Sequence, residues 1–149
     1  MKRFDPDGRL VQSKDRADCA VHALSSVLQI SYQAAYDFCA ESGRKPNEGT
    51  YSDKLPPIIN KHYGREVLIQ IPNRREWQWK ALSHFVDLYP VGRFYISVRG
   101  HAISMINGVV VDTTTQRRQP SAIVRQGWVV KDTWIGRVQD IMDMNIPEF

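Results

Sequence analysis

The chain has little of several things, and each absence narrows what it can be. It has 2 cysteines among 149 residues, too few for a disulfide scaffold, so both thiols are expected to be free in a reducing compartment. It has no apolar run near the roughly 20 residues that a membrane span needs. The start, Met1-Lys2-Arg3-Phe4-Asp5-Pro6-Asp7, lacks the apolar core of a signal peptide. No internal repeat and no low-complexity tract is present. Charge of one sign is not in great excess: the net charge is +4. The basic residues come in scattered pairs, Arg44-Lys45, Arg74-Arg75 and Arg117-Arg118, whereas nucleic-acid binding prefers a clustered face. These features predict a cytoplasmic protein with no membrane contact, for which nucleic acid is the disfavoured partner. The length suits a single domain, 1–149, with a real core.

The apolar pattern of the first half is helical. Ala20, Ala23, Leu24, Val27 and Leu28 recur at three- and four-residue spacings and predict a helix over 19–29, with Asp18 as its N-cap. Ser31 is a cap for a second helix over 32–42, with Ala35, Phe38 and Cys39 inward and Gly43 as its stop. A third helix is expected within 52–63, limited to the part after Pro56-Pro57. Residues 66–71 alternate like a strand, and 77–89 place Leu82, Phe85, Val86 and Tyr89 at helical spacing.

The second half turns to strands. Phe94, Ile96 and Val98 alternate with Arg93, Tyr95, Ser97 and Arg99 up to Gly100. Residues 101–106 and 109–113 flank Asn107-Gly108, the strongest short hairpin signal. Residues 126–131 read as another strand or a short edge segment, and the tail after Trp134 is less regular. Helices first and antiparallel strands later give an α+β class.

Chemistry enters at Cys19. The segment Arg16-Ala17-Asp18-Cys19-Ala20-Val21-His22 turns from charged to apolar at the thiol, which places it at a helix start. Free N–H groups and partial positive charge there favour thiolate. In the hairpin, pairing Ile106 with Val109 sets His101 opposite Thr114 and Ile103 opposite Asp112. His101 and Asp112 then become diagonal neighbours on one face, within reach of each other. Thiolate, imidazole and carboxylate suit acyl transfer. Cys19 would attack a carbonyl, His101 would protonate the leaving amine, and Asp112 would fix the ring and its tautomer. The Cys19 N–H would be one oxyanion donor, and the side-chain amide of Gln12 a second.

His22, one turn after Cys19, is expected beside the thiol or at the edge of a cleft. A Cys-x-x-His metal pair with His101 as a third ligand lacks the second close-spaced pair usual for zinc, so no metal is expected. Cys39 reads as a buried apolar residue. His62 and His84 fall on helix surfaces. Trp77, Trp79, Trp128 and Trp134 read as core or rim.

The order Gln12, Asp18-Cys19, His101, Asp112 resembles papain-like cysteine peptidases. It is most similar to a small phage- and bacteria-associated branch related to the bacteriocin leader peptidases. The matching motifs are Asp18-Cys19-Ala20-Val21-His22-Ala23-Leu24, Gly92-Arg93-Phe94-Tyr95-Ile96, Gly100-His101, Asn107-Gly108 and Val111-Asp112-Thr113. They span about residues 11–115 and are strongest at the two ends. One departure is that Gln12 lies seven residues ahead of Cys19, one more than the usual spacing. The resemblance implies a papain-like fold, with N-terminal helices on a C-terminal antiparallel sheet. It also implies a thiol hydrolase of peptide, isopeptide or related amide bonds that takes a peptide or protein substrate and no cofactor. Phage origin would place it in the host cytoplasm. Three alternatives stay open: an inactive papain-like binding module acting on a host partner, an acyltransferase using the same thioester, and a basic nucleic-acid-binding domain. Oligomeric state and substrate identity are not legible.

Overall fold

The computed structural model describes residues 3–11, 15, 17–111, 122–134 and 136–143. A two-stranded ribbon, β1 (Arg3–Phe4) and β2 (Leu10–Val11), precedes a helical hairpin of α1 (Cys19–Leu28) and α2 (Tyr32–Glu41). Ser31 caps α2 as expected, its hydroxyl accepting from the Ala34 N–H at 3.1 Å. Then come α3 (Leu55–Tyr63), β3 (Leu68–Gln70), α4 (Leu82–Leu88), β4 (Arg93–Val98), β5 (His101–Ile106), β6 (Val109–Val111), β7 (Val124–Val130) and α5 (Val138–Asp143). Strands β3 to β7 form one antiparallel sheet in the order β3-β7-β4-β5-β6. The architecture is therefore mixed, with helices at the N-terminus and a five-stranded antiparallel sheet.

The two sheet faces carry two cores. On one face α1, α2 and α3 pack Val21, Leu24, Ala35, Cys39, Leu55 and Ile59 against Leu68, Tyr95, Ala102 and Trp128. On the other, Trp77, the α4 residues Leu82 and Phe85, and Tyr89 just after α4 cover Phe94, Ile96, Ile103, Met105 and Val129. The period-two alternation of β4 divides its side chains between these cores, with Tyr95 on the α1 side and Phe94 and Ile96 on the α4 side. Among the described residues no helix is long and apolar enough to cross a membrane.

Four expectations change on inspection. Pro56 and Pro57 sit inside the first turn of α3 instead of before it, because N–H groups there have no intrahelical partner to lose. The helix expected over 77–89 begins only at Leu82. Trp79 takes a left-handed backbone (φ 61), and its N–H donates to the Val124 carbonyl at 2.7 Å, while Leu82 N–H donates to Ala122. Strand pairing with 122–124 thus outcompetes the helical turn. The segment around 126–131 is not at an edge. It is β7, flanked by β3 and β4, and Gly127 lets the Phe85 ring lie against its backbone, 3.0 Å from where a Cβ would be. The tail contains α5, whose buried Asp140 accepts from Tyr89 Oη at 2.6 Å and from Arg74 Nε at 3.0 Å.

The junction between α3 and β3 depends on one amide. Asn60 Oδ1 accepts from the N–H groups of Val67 (2.8 Å) and Leu68 (2.9 Å), and its Nδ2 donates to the Leu68 carbonyl (3.1 Å). Asn60→Ala is expected to lower stability by about 1–3 kcal/mol, because the N–H groups of two buried residues lose their acceptor. Urea unfolding of the two proteins reads this directly.

Candidate active site

Two chain segments meet at one end of the sheet. The first is the start of α1. Its small and medium side chains, Ala20, Ala23, Val27 and Leu24, are all buried, so the helix lies close on the sheet with Cys19 at its first position. The second is the β4–β5 hairpin, closed by Arg99-Gly100 with Gly100 at φ 70, which starts β5 at His101. The half-buried Cys19 thiol shares a side-chain hydrogen bond with His101, and the N–H groups of Ala102 and Ala20 are directed at its sulfur. Burial pushes the thiol up. The His101 hydrogen bond, the Ala102 N–H, the His101 charge and the Ala20 N–H together bring it below its ordinary value.

The β5–β6 register is the one expected from Asn107-Gly108. Ser104 faces Val111, Met105 faces Val110 and Ile106 faces Val109, with Asn107 and Gly108 both at positive φ. Asp112 follows immediately, and it and Gln12 lie outside the described residues.

Several neighbours of Cys19 were not assigned this place from sequence. Tyr95 is fully buried on β4, shares a 2.8 Å hydrogen bond with Ser52, and has both thiols close enough to act on it electrostatically. Its hydroxyl is pushed up, first by burial and then by the charges of Cys39 and Cys19. Cys39 is buried as expected, and burial raises its thiol to about 11. Arg44, just past α2, holds the chain that leads into Cys19. Its Nη2 lies 2.7 Å from Asp15 Oδ1 and 3.2 Å from the Ala17 carbonyl, and its guanidinium stacks over Tyr36.

Asp18 occupies the N-cap position but makes no capping hydrogen bond. Its Oδ2 instead accepts from Tyr32 Oη at 2.8 Å and lies 3.0 Å from His22 Nε2. The four-residue spacing of Asp18 and His22 was a visible signal for that pair; nothing in the sequence marked Tyr32. His62 and His84 are exposed on α3 and α4, and Trp77 and Trp128 are core, as expected. Among the described residues no group of three His, Cys, Asp or Glu side chains is placed to hold a metal ion.

Comparison of the chain with family models, curated proteins and solved structures finds no match.

The two thiols should behave oppositely. At pH 7 iodoacetamide is expected to modify Cys19 and leave Cys39 untouched in the native protein, read by peptide mass mapping. Cys39 also sets a pH dependence. Its folded value lies above its unfolded value near 9, so the unfolded chain ionises first. The stabilisation from keeping it neutral is complete below about pH 9 and is lost as pH rises towards 11. The difference in unfolding free energy between pH 8 and pH 11 should be smaller in Cys39→Ala than in the wild type.

Proposed function

We propose that the protein is a papain-like thiol hydrolase that cleaves a peptide, isopeptide or related amide bond. The observation that carries this reading is the junction of Cys19 with His101: a thiol at a helix start, hydrogen-bonded to an imidazole on a separate element, with two backbone N–H groups on its sulfur. A structural cysteine needs none of these. The depressed thiol and the imidazole bonded to it suit nucleophile and acid/base.

In the proposed reaction His101 takes the Cys19 proton, and the thiolate adds to the carbonyl carbon. The C–O double bond opens to an oxyanion beside the start of α1. His101 gives its proton to the leaving nitrogen, the C–N bond breaks, and a Cys19 thioester remains. Water then attacks the thioester. His101 accepts the water proton, the C–S bond breaks, and the acid is released with the thiol restored. The steps balance with water alone and need no cofactor. Gln12 and Asp112 are proposed as the second oxyanion donor and the ring-orienting carboxylate. The substrate is a peptide or protein, and the proposed setting is the cytoplasm.

Alkylation kinetics test the nucleophile without a known substrate. Wild-type Cys19 is expected to react with iodoacetamide at pH 7 about tenfold or more faster than a simple thiol peptide, and His101→Ala to lose most of that advantage. A wild-type rate no faster than the peptide's overturns the reading. A peptide-library digest, read for new N-termini present with wild type and absent with Cys19→Ala, tests bond cleavage.

A further inference from the structure

Asp18 contrasts with the other capping position of the same hairpin. Ser31 has the extended backbone of a cap (φ −61, ψ 155) and bonds the Ala34 N–H. Asp18 stands at φ −97, ψ 19, outside that geometry, and its carboxylate turns to His22 and Tyr32. Asp is among the best N-cap residues, so free choice would set this carboxylate on the first turn of α1. There it would place a negative charge and an acceptor against the first-turn N–H groups, among them that of Ala20, which faces the Cys19 sulfur.

The arrangement that prevents this is buried and closely fitted. Asp18 and His22 are 8% and 7% exposed, and the His22 and Tyr32 rings lie 5.0 Å apart. His22 comes from the second turn of α1, and Tyr32 is the first residue of α2, so the hairpin itself supplies both partners. The first bond within α1 that the chain makes is His22 N–H to the Asp18 carbonyl, which leaves the N–H groups of Cys19, Ala20 and Val21 without an intrahelical acceptor.

We propose that His22 and Tyr32 are positioning residues that hold the Asp18 carboxylate off the first turn of α1, keeping its N–H groups available to the Cys19 sulfur and to the oxyanion. This inference rests on Cys19 being the nucleophile. It assigns the trio a role that acts through Cys19 and requires no contact with substrate. Its cost is one forgone N-cap, which fits a site kept open at the expense of local stability.

The test is the pH profile of Cys19 alkylation by iodoacetamide in the intact chain. Among the described residues, the titratable groups that interact with the thiol are His101 on β5, Cys39 on α2 and Tyr95 on β4, and all three stay unchanged in every variant. In Tyr32→Phe and His22→Phe the released carboxylate is expected to cap the helix. Labelling at pH 7 should slow by about two- to fivefold and the profile should move to higher pH, the size of one charge at a helix terminus. Adding Asp18→Ala to either variant should restore the wild-type profile, which a merely structural loss would not do. Tyr32→Phe keeps the ring and serves if His22→Phe does not fold. Unchanged profiles in the single variants, or a loss that Asp18→Ala fails to recover, overturn the positioning role while a fast wild-type rate leaves the hydrolase reading standing. An ordinary wild-type rate overturns both.

Discussion

The packing of α1 flat on the sheet is the contact on which the site depends. It requires a helix that can be buried almost all round, and the α1 residues Ala20, Val21, His22, Ala23, Leu24, Ser25 and Val27 are all buried. Two alanines on that helix let it approach β5 closely, and Ala102 answers with a small side chain from the sheet. A bulkier residue at any of these three positions would lift the helix start away from His101. The core on the α1 side therefore does more than stabilise the fold. Its small side chains set the distance between a thiol on one element and an imidazole on another.

How much of this was legible depends on the range of each interaction. The α1–α2 hairpin could be read because its apolar period and the Ser31 cap are local. The β5–β6 register could be read because Asn107-Gly108 admits positive φ at both positions and so dictates which residues face each other. The central place of β7 could not. Gln126 and Gly127 interrupt its apolar run, and only the two flanking strands reveal that the whole segment is interior. The helix boundary near Leu82 was hidden for a related reason. Trp77, Leu82, Phe85 and Tyr89 are all buried at helical spacings, but Trp77 reaches the core from a turn that β7 holds through backbone hydrogen bonds. Cys19 and His101 were each identifiable as chemistry-bearing residues. Their meeting spans 82 positions of chain and follows from packing alone.

The Asp18 position shows how a sound local rule yields to tertiary competition. An acidic residue before an apolar helix is a good cap in isolation. Here a buried and a half-buried partner share the same oxygen, one from the next turn and one from the next helix. Two hydrogen bonds to a buried carboxylate outweigh one capping bond that N–H groups at a helix start can replace with other acceptors. Arg44 adds to the same end of the hairpin by tying Asp15 and the Ala17 carbonyl to the segment after α2. The entry to α1 is thus held by side chains from beyond α2 and from its first turn.

The two cysteines make the electrostatic argument sharper, because they sit in one core and differ in little but their surroundings. Both are penalised by burial. At Cys39 nothing overcomes that penalty, and a charge at Cys19 would add to it, so the thiol stays protonated. At Cys19 an imidazole and two N–H groups reverse the sign. The charge that Cys19 can carry is therefore one that Cys39 and Tyr95 feel and resist. A neutral Cys39 beneath Cys19 keeps a second negative charge out of the site. Burial thus holds Cys39 protonated in the same core in which an imidazole and two N–H groups lower Cys19, so the surroundings alone separate the two thiols.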